Sequence, residues 1–145
     1  MATHLSFATG DVSFTLRNKT AIAAWLKAIA KSHKRTIGSL SYSFVSDEYL
    51  LSINKRFLKH NTYTDIITFD YSSEEQSKNV VSGEIYISIE RVADNAGKFG
   101  VSKKDELHRV MAHGLLHLCG FRDKTSAEQK RMRAEEENAL ALRKF

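Results

Sequence analysis

The stretch that most limits how this chain can fold is HGLLHLCGFRD, residues 113–123 of 145. His113 and His117 stand four apart, a spacing that stacks both imidazoles on one face of an α-helix, within reach of a single metal ion. Gly120 follows three residues later and can take the left-handed conformation that ends a helix and folds the chain back. Asp123 lies three residues further on, where a returning chain can present a third ligand. Two ring nitrogens and one carboxylate around a tetrahedral ion leave the fourth position open to water, as in a catalytic zinc site rather than a closed structural one. The same spacing is also compatible with two solvated or hydrogen-bonded helix histidines. Asp123 can equally be a turn or capping aspartate paired with Arg122 or Lys124.

The spacing approaches the metalloprotease pattern H-E-x-x-H-x-x-G-x-x-H, but Gly114 stands where that pattern has its glutamate. Peptide hydrolysis would therefore need a general base from elsewhere in the chain. Cys119 lies two residues from His117 and points away from it on a helix; it reads as a buried neutral filler. His108 is neither three nor four residues from His113 and is left out of the metal set.

Taken in order, residues 5–16 read as two short strands around a Thr9-Gly10-Asp11 turn, with Phe7, Val12, Phe14 and Leu16 on one buried face. Thr20 caps a helix running to about Lys34, with Ile22, Trp25, Leu26 and Ile29 as its apolar stripe and His33 exposed at its end. Gly38 opens a strand in which Leu40, Tyr42 and Phe44 alternate with Ser39, Ser41 and Ser43. Asp47 caps a helix from Glu48 to about Leu58, with Leu50, Leu51, Ile53, Phe57 and Leu58 turned inward. Lys55, Arg56, Lys59 and His60 gather at its end. They either favour the carboxyl end of the helix dipole or form a phosphate-contacting patch.

A strand is expected at Thr64–Tyr71, a polar, mobile hairpin excursion at 70–79, and a second strand at Val80–Ile89 with Ile85, Ile87 and Ile89 facing the core. A short helix follows from Arg91 to Lys98. Ser102 with Asp105 starts another that runs to about Cys119, and its buried stripe includes Gly114, placed for close approach of a neighbour. Thr125 with Glu128 opens a last helix to about Leu142. Strands in three places interleaved with helices give an α+β fold, a small mixed β-sheet packed against helices, in a single domain spanning 1–145.

The words HGLLHLCGF resemble the signature of the YbeY family, H-G-x-L-H-L-x-G-[YF]-D-H. TDIITF (Thr64–Phe69) resembles its T-D-V-L-S-F strand, and GEIYIS (Gly83–Ser88) its G-D-I-x-I-S strand. Met132, Glu136 and Leu140 have spacings similar to the family's M-x-x-x-E-x-x-x-L. The likeness runs from about Asn54 to the C-terminus. It departs at two points. Asp123 stands where the family has its third histidine, with Arg122 at the preceding aspartate, and Leu58 stands where the family has the arginine of N-x-x-Y-R. Arg56 or Lys59 is then the candidate substrate contact in its place, lysine without bidentate geometry.

The resemblance implies a zincin-like fold, one Zn2+ or another divalent transition ion on His113, His117 and Asp123, and a metal-dependent endoribonuclease acting in rRNA maturation and ribosome quality control. Its partners would be RNA and ribosome-associated proteins. With one carboxylate among the ligands, a dication keeps about one unit of positive charge, making it a softer Lewis acid than three histidines would. A zincin-like metalloprotease and a non-catalytic ribosome-associated metal-binding protein are the alternatives. The formal charge of +5 and pI of about 9.4 suit a polyanionic partner without requiring one. One cysteine precludes an internal disulfide and suits a reducing cytoplasm. The N-terminal stretch lacks the pattern of a signal peptide, and no apolar run approaches a membrane span.

Overall fold

The computed structural model describes residues 3–75 and 77–145. The first two residues of the N-terminal stretch and Gln76, within the expected 70–79 excursion, lie outside the described residues. The elements are β1 (His4–Thr9), α1 (Lys19–Ser32), β2 (Thr36–Val45), α2 (Asp47–Phe57), β3 (Ile66–Asp70), β4 (Val80–Ser88), α3 (Ile89–Phe99), α4 (Lys103–Leu118) and α5 (Ser126–Ala141). The four strands form one sheet in the order β1-β2-β4-β3. β1, β2 and β4 run parallel, and β3 is antiparallel to β4 at one edge. The fold is α+β with a mixed sheet, as expected.

The two-residue period of β2 sorts its side chains as anticipated. Leu40, Tyr42 and Phe44 join Ile85 and Ile87 of β4 on one face, buried against α1 and α4. The Tyr42 hydroxyl donates to the Met111 carbonyl at 2.8 Å, which ties the sheet to α4 without leaving a buried donor unpaired. Trp25 is core, its Nε1 donating to the Ala139 carbonyl at 2.7 Å. On the opposite face, Val45, Ile67, Leu50 and Ile53 form a second, smaller cluster under α2.

Several local expectations are corrected. No strand follows Gly10. The Gly10 N–H donates to Phe44 at the end of β2, and the Asp11 carboxylate leaves the sheet to accept from the backbone and hydroxyl of Ser46. Helix α1 starts at Lys19 behind Asn18, which holds a left-handed conformation, rather than behind a Thr20 cap. Ser46, not Asp47, caps α2, accepting from the Tyr49 N–H. That helix ends at Phe57, so Phe57 and Leu58 leave its inward stripe and are 59% and 43% exposed. His33 is half-buried instead of exposed, its ring centroid 4.9 Å from that of Phe121 in an edge-to-face contact. The β3–β4 excursion contains a short 3-10 turn at Ser72–Glu74, tied back through Ser72 and Glu75 to Ser82. No helix among the described residues is long and apolar enough to cross a membrane.

Candidate metal centre

Helix α4 begins where Ser102 accepts the Asp105 N–H at 3.0 Å, with Asp105 and Glu106 in the first turn. It ends in a complete Schellman turn. The Gly120 N–H bonds to the His117 carbonyl and the Phe121 N–H to that of Leu116, both at 3.0 Å. Gly120 has φ 103°, a conformation L side chains rarely adopt. The turn brings the chain back over the last turn of α4. It places the Phe121 carbonyl 2.9 Å from His117 Nδ1 and swings Asp123 against both imidazoles. Along α4, Gly114 supplies the room that the close approach of the sheet needs: a Cβ there would meet Ile85 at 2.9 Å and Ile66 at 3.0 Å.

The His113 and His117 Nε2 atoms lie 3.0 Å apart, and each is 3.4 Å from Asp123 Oδ2. A tetrahedral zinc ion with bonds of about 2.0–2.1 Å holds its ligand atoms about 3.3–3.4 Å apart, so the three donors have nearly the spacing such an ion imposes. Their protonation supports the same conclusion. His117 Nδ1 faces a carbonyl, which can only accept, so that nitrogen carries the hydrogen. His113 Nδ1 faces a carboxylate oxygen of Glu136 at 2.5 Å and does likewise. Both Nε2 atoms then converge on one place beside Asp123, where a shared cation can be held. These residues can hold a metal ion.

Glu136, from α5, is 3% exposed. Burial pushes its carboxyl up, but hydrogen bonds from His113 and Arg109 outweigh this and leave it below the usual range. Arg109 Nη1 donates to Glu136 at 2.7 Å, while its Nε and Nη2 clasp Glu106. The clasp by Glu106, with Glu136 adding to it, raises the guanidinium pKa against the effect of burial. Arg109, His113 and His117 follow one another at four-residue intervals on one face of α4. In the sequence Glu136 shows only a spacing, and Arg109 belongs to no motif. An acid set four residues from both Met132 and Leu140 on a helix, and an arginine one turn before the first histidine, were the available signals.

The three donors line a cleft of about 730 Å³ between α4, β3 and the end of α2. Arg109, Asp65, Asn54, His60 and Leu58 also line it. Burial raises the Asp65 carboxyl pKa, partly offset by His113. Leu58 forms apolar cleft wall and is not the core residue expected. Arg56 and Lys59 do not line this cleft. Arg56 opens onto a separate groove on the other side of β3, and Lys59 holds a left-handed backbone at φ 57° just past the helix end. Cys119 is buried, with a thiol that burial pushes up to about 11.

A family model described as Endoribonuclease YbeY matches residues 5–143. The chain belongs to the YbeY family. Endoribonuclease YbeY of Cytophaga hutchinsonii is 53% identical over 93% of this chain and 92% of its own. The protein of that name from Flavobacterium johnsoniae is 45% identical, over 91% and 92%, and that from Bacteroides fragilis 41%, over 97% and 98%. The solution structure of TM1509 from Thermotoga maritima has the same fold, with a TM-score of 0.65 at 22% identity over 95% of this chain and 87% of that one. Family membership thus covers the N-terminal third as well, where the sequence motifs alone had offered nothing to compare.

Proposed function

We propose that this chain is a metal-dependent endoribonuclease that holds one divalent ion, zinc by its ligand set, on His113, His117 and Asp123. It acts on ribosomal RNA during maturation and quality control, with ribosome-associated proteins as partners, in the cytoplasm. The observation that carries the reading is the convergence of two oriented Nε2 atoms and a carboxylate in an open cleft, in a chain whose relatives are named endoribonucleases.

A divalent ion bound there supplies Lewis-acid polarisation of a phosphoryl oxygen and acidifies water. The chain's own groups do the rest. Glu136 and the Phe121 carbonyl fix the tautomer and orientation of the two imidazoles. Arg109 lines the cleft with its Nε, Nη1 and Nη2 already engaged by Glu106 and Glu136, so its part is to hold Glu136 against His113. Asp65 faces the same cleft with an oxygen able to accept or return a proton. With Leu58 in the wall, this chain meets substrate there through an apolar contact where its family has an arginine.

The test is cleavage of a structured ribosomal RNA fragment by zinc-loaded protein, alongside a peptide library. Wild type should cut the RNA and leave the peptides, and His113→Ala should lose at least a hundredfold in rate. Equal cleavage by His113→Ala would remove the metal from the chemistry.

A further inference from the structure

On the face of β3 opposite the metal cleft lies a second groove of about 500 Å³, between α2 and the outer side of β3 and β4. Its walls are largely aromatic. Phe57, Phe69 and Tyr86 form an edge-to-face series with centroids 6.0 Å apart at each step. Phe57 is 59% exposed, and Tyr49 and Tyr71 at the rim are 43% and 40% exposed. Soluble surfaces seldom gather large rings this way without a use for them. The rings are also held in place. The hydroxyls of Tyr71 and Tyr86 donate to the two oxygens of Glu84 at 2.8 and 3.1 Å. That pairing engages Glu84, the one carboxylate among the described groove residues, and leaves the ring surfaces of Tyr71 and Tyr86 to contact a ligand. Arg56, whose guanidinium lies 5.4 Å from the Phe57 centroid, is the cation of the groove.

We propose that this groove is a base-stacking subsite for single-stranded RNA, a reading that rests on the ribonuclease function above. Rigid aromatic faces beside an arginine are what unpaired bases and their phosphates bind. The position fits a continuous strand. β3 is the edge of the sheet, with Thr68 and Asp70 lining the metal cleft and Phe69 the groove. α2 likewise contributes Asn54 to the cleft, with Leu58 just past its end, and Ile53 and Phe57 to the groove. A strand with a phosphate in the cleft can cross the free edge of β3 and lay a neighbouring base on Phe57. Arg56, expected beside the metal, thereby acquires a place one step along the substrate.

The experiment measures binding of a labelled single-stranded oligoribonucleotide, and of an abasic ribose-phosphate strand of equal length, in the His113→Ala background so that cleavage does not interfere. Phe57→Leu keeps apolar bulk without the ring, and Phe57→Ala removes both. Each should weaken RNA binding roughly tenfold, within the range of one stacked base, and leave the abasic strand unaffected. Arg56→Ala should weaken both strands and lower the salt slope by about one phosphate contact. Crosslinks from 4-thiouridine should fall on the peptides carrying Phe57, Tyr71 or Tyr86. RNA affinity unchanged in Phe57→Leu, or abasic and base-bearing strands bound equally by the background protein, overturns the subsite and leaves the groove to a protein segment. If wild type cuts RNA while Phe57→Leu binds and cuts it equally well, only the groove assignment fails. If wild type neither binds nor cuts RNA, the ribonuclease reading fails with it.

Discussion

At the scale of single residues, the site is a competition between burial and charge that Glu136 decides. A carboxylate 3% exposed is costly unless it is paired, and here His113 and Arg109 pair it from two sides. Its carboxylate accepts from His113 Nδ1 and so turns Nε2 toward His117 and Asp123. Glu136→Gln preserves the shape and an acceptor oxygen but removes the charge. Zinc affinity, measured by competition with a chromophoric chelator, should fall about 10–100-fold; an unchanged affinity would reduce Glu136 to a packing residue. His113, His117 and Asp123 could be read from the sequence because a helix period and a glycine stop are local rules. Glu136 and Arg109 could not be placed the same way, because their contacts span 23 and 27 residues between two helices. Asp65 enters the cleft from the bend just before β3, far earlier in the chain.

At the scale of elements, the turn after α4 does more for the centre than any one ligand, since it positions both the Phe121 carbonyl and Asp123. Gly120 and Gly100 form a natural comparison. Both follow helices, both have positive φ (103° and 66°), and a Cβ at either meets nothing within 4 Å. Gly120→Ala and Gly100→Ala should each cost about 1–2 kcal/mol of stability through backbone strain alone. Only Gly120→Ala should also weaken zinc binding, because only its turn carries site atoms. Denaturant melts with and without metal separate the two effects, and equal metal affinity in the two variants would show that the turn tolerates a shift. The element starts at Ser102 and Thr125 were readable from capping chemistry. The strand expected after Gly10 was not, since a strand exists only where a neighbour pairs with it, and Asp11 is drawn instead to Ser46. Helix α2 ends at Phe57, one residue short of the expected Leu58, and Leu58 is cleft wall instead of core.

At the scale of the whole molecule, His108 joins parts of the chain that are distant in sequence. Its ring packs between Trp25 of α1 and Phe145 of the tail, at 5.5 and 5.3 Å, and its Nδ1 accepts from Arg143 at 2.9 Å. Accepting there requires the neutral imidazole. Burial, with help from Arg143 and Lys104 and against Asp105, pushes His108 down to about 4 from 6.5. The unfolded chain therefore takes up this proton first as pH falls. The stability due to a neutral His108 is fully present above about pH 6.5 and is lost progressively toward pH 4, by at most about 3 kcal/mol. Glu136, whose carboxyl is lowered, loses its contribution only as pH falls below the usual glutamate range, so the interval from about pH 6.5 to 5 distinguishes His108. Urea unfolding followed by the fluorescence of Trp25, the chain's one tryptophan, in chelator to exclude metal linkage, should show a steeper decline over that interval for wild type than for His108→Gln. Parallel curves would mean that acid reaches the tail without passing through this ring, and that Arg143 and Phe145 hold α1, α4 and α5 together regardless of its charge.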